Sequence, residues 1–457
     1  MNQNKISKKD RYMVLIASLL LIVSCIILKL SLFYGFLGSI ALSFVIFLKN
    51  GFSSKELLSM IKQGLIECKI LYGLIILIGA TISIWLCSGI VPTMIYYGLE
   101  YMKGINFLFA AFIITSIISV FMGTAVGTIS TIGLALLGIG KGFGIPQHIL
   151  LGAIISGAFI ADKVSPISGL FNLTLTTTKT TYRQTIKSMF TTLIPIYLIT
   201  SVIYMFIGKG YNGALEGSDL YNLQVSIKEA FYISPFLLIL PIMIVIMAFL
   251  GVETTKAILI GLSGGIVVSF SLQNIDFINI IRAILWGYKG TTATAELNEI
   301  LISGGIISMI EVILIVMGAI ALSSLFEGAG IIQPIINNII SKVRSKKELI
   351  LKTGLISSIL TIITCDQTVG IILPGRLLKE KYRELDVDNT VLARTISDTG
   401  TIIAPLMPWN VNALIILIIS GVTALDYAPY AVLCYVSPAI TIMLAYLTKF
   451  QRQKLRG

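Results

Sequence analysis

One stretch restricts this chain more than any other: Ile396-Ser-Asp-Thr-Gly-Thr-Ile-Ile-Ala-Pro-Leu-Met-Pro-Trp-Asn410. It begins as an apolar helix and is then interrupted. Asp398, Thr399, Gly400 and Thr401 stand where apolar residues should continue, and Pro405 and Pro408 each lack the N–H that helical bonding needs. Beyond them, Asn412 to Gly421 is apolar again. A carboxylate at the centre of a membrane helix costs roughly 2.5–3.5 kcal/mol on insertion scales. Irregular backbone at that depth survives only where it is buried in protein or lines a wet cavity. Such a stretch reads as an ion or solute site.

Composition supplies the membrane. Of 457 residues, 56% are hydrophobic and 12% charged, about half the charge fraction of a soluble domain. Mean hydropathy is +0.93. Several runs reach the roughly 20 apolar residues that cross a bilayer. The net charge of +12 sits in particular segments: Lys5 to Arg11, Lys342 to Lys347, Arg376 to Arg383 and the tail from Lys449. That clustering follows the positive-inside rule and removes nucleic acid as a partner. Five cysteines without a C-x-x-C pair and a single histidine, His148, offer neither a disulfide framework nor a zinc site. No nucleophile–base pair suggests an enzyme, and no cofactor is expected.

The halves repeat. Gly89-Ile-Val-Pro92 is matched by Gly330-Ile-Ile-Gln-Pro334, Val126-Gly127 by Val369-Gly370, Ile155-Ser156 by Ile396-Ser397 and Pro166 by Pro405. All lie roughly 240 residues apart, the weak internal symmetry of secondary transporters. Charge then sets a topology. With Phe107–Ile139 and Leu349–Leu373 as re-entrant hairpins, the basic segments and both termini share the cytoplasmic side, and the acidic loop Lys209–Glu229, holding Glu216 and Asp219, faces out. The expected fold is an all-α polytopic membrane protein of two inverted repeats. Each has five crossings, a re-entrant hairpin and a broken helix. The units are residues 1–208, an extracytoplasmic linker 209–230, and residues 231–457.

Each half supplies one hairpin tip and one break. Thr124 and Thr128 belong to the first tip, and Asp162, Lys163, Ser165, Ser168 and Asn172 to the first break. Asp366, Gln367 and Thr368 form the second tip, and Asp398, Thr399, Thr401 and Asn410 the second break. Carboxylate, hydroxyl and amide oxygens beside freed carbonyls suit a hard cation, with Asp162, Asp366 and Asp398 as its expected carboxylate ligands. Simpler roles stay open: Asp162 with Lys163 as a structural ion pair, the threonines as backbone-bonded, and Glu311 as either a proton site or a tie between helices.

These residues resemble the NhaC-type sodium/proton antiporter family, of the ion-transporter superfamily fold, over nearly the whole chain. Gly144-Ile-Pro with Gly152-Ala-Ile-Ile-Ser-Gly157 is similar to the family's pattern. So is Asp162-Lys163-Val-Ser165-Pro166-Ile-Ser168, closed by Asn172. Asp366-Gln367 followed by Ile372-Leu-Pro-Gly-Arg376 resembles the second tip. The most specific likeness is Asp398-x-Gly400-Thr401 with Pro405-Leu-x-Pro-Trp-Asn410. The chain departs at Gly169-Leu170-Phe171, where the family has Asp-Thr-Thr, at Ser397, where it often has Glu, and at Cys365, where Gly is expected.

The resemblance implies a multi-pass plasma-membrane transporter exchanging Na+ for H+ by alternating access. Its expected partners are the lipid bilayer and small cations or small organic anions, and a homodimer is left open. A carboxylate that holds either H+ or Na+, but not both, couples the two flows. The alternative is a Na+- or H+-coupled exchanger of carboxylates or amino acids, since some family relatives exchange malate for lactate. The missing carboxylate at Gly169 and the retained Lys163 make the site less negative and point that way.

Overall fold

The computed structural model describes residues 6–102, 104–211, 217–250, 252–292, 297–298 and 301–447. Lys5, Glu216 and the basic tail from Lys449, used in the charge argument, lie outside the described residues. Apart from one isolated bridge between Lys289 and Ile302, the described elements are helical. Among the described residues, seven helices are long and apolar enough to cross a membrane, or ten if each of three sharply bent pairs is one span.

Two groups of helices pack together. Leu32–Lys49, Ser54–Glu67, Lys69–Cys87 and Phe277–Trp286 pack on Gly305–Gly328, with Lys8–Ile27 against Leu32–Lys49 and Thr254–Ser271 against Lys69–Cys87. The second group holds both hairpins and both broken helices, with Tyr182–Lys209 and Val432–Leu447 against them. Burial separates lipid-facing from shielded elements. The apolar window of Gln147–Thr178 is 94% buried, against 28% for Lys8–Ile27 and for Tyr182–Lys209. The broken helix is therefore wrapped in protein, as non-helical backbone in a bilayer requires.

Close approach explains that packing. A Cβ on Gly157 would come within 2.0 Å of Thr115 Oγ1 and 2.6 Å of the Phe112 carbonyl oxygen. Its absence lets Gln147–Ala158 and Phe107–Met122 touch backbone to backbone, and Ser119 Oγ donates to the Gly157 carbonyl at 3.0 Å. Small residues serve helix contacts in membranes in this way.

The repeat is present in the backbone. Left-handed residues recur as Gly89 and Gly330, Gly123 and Cys365, and Lys179 and Gly421. N-caps recur as Thr124 and Asp366, and as Ser168 and Asn410. Each pair is 241 or 242 residues apart. Both hairpins turn the same way: a helix, one left-handed residue, a capping side chain and a return helix. Cys365, at φ 61°, occupies a conformation that glycine adopts without the Cβ clash, which accounts for the glycine expected there.

Two expectations change. The Lys209–Glu229 loop contains the helix Gly217–Ala230, because its apolar residues Leu220, Leu223 and Ile227 recur at helical spacing. The Ser397–Thr401 segment is also not unwound. It forms a π-helical turn, and the helix is lost only after it, through Ile402 to Asn410. One extra residue in the turn keeps backbone groups bonded while shifting the helical register.

Candidate functional site

The first break runs from Phe159 to Ser168. The helix Gln147–Ala158 stops, one turn forms at Ala161–Val164, and a new helix starts at Gly169 with Ser168 as its cap. Pro166 ends the short turn, since a residue before proline is driven toward extended backbone. The second break ends at Asn410, whose Oδ1 accepts from the Asn412 N–H at 3.0 Å and opens the helix Val411–Ser420. Its two arms meet at 46°.

Each hairpin tip is seated on its own break. Ser165 Oγ donates to the Val120 carbonyl at 2.5 Å, and Gly123 faces Ile167 too closely to carry a side chain. In the second half, Trp409 Nε1 donates to Ile362 O at 2.7 Å, Gln367 Nε2 to Thr401 O at 2.5 Å, and Val411 N to Cys365 O at 3.1 Å.

The two breaks meet at one ion pair. The Lys163 ammonium contacts Asp398 Oδ1, and both side chains are 0% exposed. Asp398 is held from a third element: Thr441 Oγ1 donates to its Oδ2 at 2.7 Å, and Ser437 Oγ donates to its carbonyl at 3.0 Å. Beyond each other, Lys163 Nζ and Asp398 Oδ1 have no hydrogen-bond partner among the described residues. The same holds for Ser397 Oγ, Thr401 Oγ1 and Asn410 Nδ2, all buried. Buried polar groups are nearly always bonded. Orphans gathered along the second break therefore mark a place built to receive polar atoms.

Other expected site residues separate from this centre. Asp162 is 5% exposed and accepts from Ser168 Oγ at 3.3 Å. Asp366 is half-buried at the second tip, where its side chain caps the Thr368 N–H at 3.2 Å. Among the described residues no three His, Cys, Asp or Glu side chains come together as metal ligands, so the three aspartates do not share one centre. Thr128 Oγ1 bonds Thr124 O at 2.8 Å, Thr399 Oγ1 bonds Thr395 O at 2.6 Å, and Thr124 Oγ1 caps Gly127 N at 3.4 Å. These threonines serve the backbone. Asn172 is exposed and closes its own turn on Pro166 O and Ser168 O, both at 2.9 Å. Glu311 is exposed rather than buried as a tie between helices. Ser437 and Thr441 were missed by sequence reasoning. Their signal was two hydroxyls four residues apart in an otherwise apolar span.

A cavity of about 540 Å³ lies between the two groups of helices. Gly79, Leu86 and Ser308 line one wall, and Gly138, Lys141 and Ser420 the other. The end of the Val411–Ser420 arm thus opens onto space that the helix groups share.

A helical membrane protein with paired hairpins and broken helices, and a buried charge pair between them, has the architecture of a secondary transporter. Comparison with known proteins agrees: residues 161–449 match the Na+/H+ antiporter family, and the chain belongs to it. It is 30% identical over 404 residues to the malate-2H+/Na+-lactate antiporter of Bacillus subtilis (strain 168), covering 88% of this chain and 86% of that one. The Na+/H+ antiporter NhaC of Alkalihalophilus pseudofirmus is 31% identical over 372 residues, or 81% and 80% of the two chains. The arginine/ornithine antiporter ArcD of Halobacterium salinarum is 28% identical over 400 residues, or 87% and 82%.

Proposed function

We propose that this chain exchanges Na+ for H+ across the cytoplasmic membrane by alternating access, with both termini inside. The observation that carries the reading is the buried Lys163–Asp398 pair joining the two breaks. Asp398 is the one carboxylate of this centre, and the Lys163 ammonium occupies it as a built-in cation. A Na+ or an H+ takes the carboxylate in place of that contact, and the two cannot share it, because each removes the charge that the other binds. That exclusion is the coupling. Asp398 is the shared carboxylate and Lys163 its built-in counter-ion, while Asp162, held by Ser168, is a separate buried acid in the first break. Ser397 and Thr401 offer unpartnered hydroxyls and Asn410 an unpartnered amide N–H along the second break, while Asp366 caps the second tip and Gln367 holds that tip on its break. The backbone repeat supports two inverted halves that exchange access around this centre.

A second reading, exchange of small carboxylates or amino acids, rests on Lys163 itself: a fully buried ammonium can recognise a substrate carboxylate. Relatives that carry malate, lactate, arginine or ornithine support it. Proteoliposomes with an internal pH dye and an imposed pH gradient separate the two. Proton movement on adding NaCl without organic solute supports Na+/H+ exchange. Movement only with malate, lactate or arginine favours the second reading, and no response to any of them overturns both.

A further inference from the structure

A second cavity, of about 450 Å³, opens on the lipid-facing flank behind the first break. Its lining is almost wholly apolar: Val120 on one helix, Ile160 and Val164 of the break, and Phe190, Leu193 and Tyr197 on Tyr182–Lys209. The volume lies within the roughly 300–1,000 Å³ of small-molecule sites. Tyr182–Lys209 is among the least buried spans, and Phe190, Ile194 and Leu198 are 47%, 55% and 60% exposed on the groove side. In a bilayer such a groove meets hydrocarbon, not water.

The same helix face changes character at one end. Arg183 and Lys187, both exposed, precede Phe190, Ile194 and Leu198 at spacings of three and four residues, which places all five on one face. Tyr182 lines the groove between the two chemistries, and its hydroxyl donates to Val164 O at 3.2 Å. An apolar slot with one guanidinium and one ammonium group at its interfacial end matches an amphiphile with a hydrocarbon chain and an anionic head.

We propose that this groove binds one anionic phospholipid, its acyl chain against the first break and its phosphate on Arg183 and Lys187. The occupant is a membrane lipid because the slot faces the bilayer and the charges lie where headgroups lie. Each basic residue near an anionic lipid surface is worth about a fivefold gain in binding. The lipid's chain would touch Ile160 and Val164, two residues from Asp162 and one from Lys163. Occupancy would therefore stiffen the break from behind.

Phe190→Trp places a reporter in the groove. The full-length variant is reconstituted in phosphatidylcholine vesicles holding a rising fraction of brominated phosphatidylglycerol or brominated phosphatidylcholine. The parent chain corrects for Trp85, Trp286 and Trp409. Brominated phosphatidylglycerol should quench the reporter at a mole fraction at least tenfold lower than brominated phosphatidylcholine. Adding Arg183→Gln and Lys187→Gln should abolish that preference, while circular dichroism stays unchanged. Arg183 and Lys187 lie at an exposed helix end, so folding is not at stake. Equal quenching by the two lipids, or a preference that survives the double substitution, overturns the proposal. So does the absence of quenching by either lipid.

Discussion

At the scale of single residues the chemistry reduces to Lys163 and Asp398. Removing one partner of a buried pair strands the other, at a cost of about 3–5 kcal/mol. Asp398→Asn should therefore lower exchange at least tenfold and also lower thermal stability in detergent. Asp398→Asn combined with Lys163→Gln replaces two charges by two amides. It should recover most of the stability and none of the exchange, checked by melting curves and proteoliposome flux on the same preparations. Recovery of flux in the double variant would show that the pair is only structural. Gly169 separates the two substrate readings. Its φ is not left-handed, and a Cβ there meets nothing within 4 Å, so a side chain fits. Gly169→Asp restores a carboxylate beside the first break and should tighten Na+ binding in a cation exchanger. In a carboxylate exchanger it should repel the anionic substrate. Gly169→Asn carries the same shape without charge, and equal behaviour of the two variants would remove position 169 from the site.

Between elements, one hydroxyl ties the last span to the helix that leads into the first break. Tyr204 is fully buried; its OH lies 2.7 Å from Tyr430 O, 3.1 Å from Gly152 O, 2.6 Å from Ser156 Oγ and 3.2 Å from Val432 N. Four helical segments, Tyr182–Lys209, Gln147–Ala158, Ala428–Tyr430 and Val432–Leu447, thus meet at one oxygen. Tyr204→Phe keeps the ring and removes the hydroxyl from the Tyr430 carbonyl and the Val432 N–H, each such loss costing about 1–3 kcal/mol. A clear fall in melting temperature is expected, with Na+ affinity at the ion pair nearly unchanged. A Tyr204→Phe protein as stable as its parent would mean that other contacts hold these helices together.

For the whole molecule, the proposed inversion of the two halves makes a prediction about sides. Single cysteines placed in Tyr221–Glu229 should react with an impermeant maleimide on intact cells, in a background lacking native cysteines. Cysteines in Ser341–Lys347 should react only after the membrane is opened. Labelling of both from the same side would leave the backbone repeat parallel and would withdraw alternating access between inverted halves.

The sequence by itself determined the membrane class, the positions of both breaks and both hairpin tips, and the repeat, because each is written in local chemistry. Apolar runs, prolines, capping side chains and left-handed turns need only a few neighbouring residues to be recognised. Even the residues of the ion pair could be named, since a charge in an apolar run is conspicuous. Which charge meets which could not. Lys163 sits beside Asp162 in the chain, yet its ammonium reaches Asp398, 235 residues on, because consecutive helical positions point about 100° apart. Only packing of the two halves selects the partner. The same holds for Thr441 and Ser437, ordinary hydroxyls in an apolar span until the last helix is laid against Asp398. It holds equally for Thr128 and Thr399, whose oxygens look like ligands in sequence and turn back to their own helices in three dimensions. Orientation of a side chain is a property of the assembled bundle, and the tertiary structure decided it.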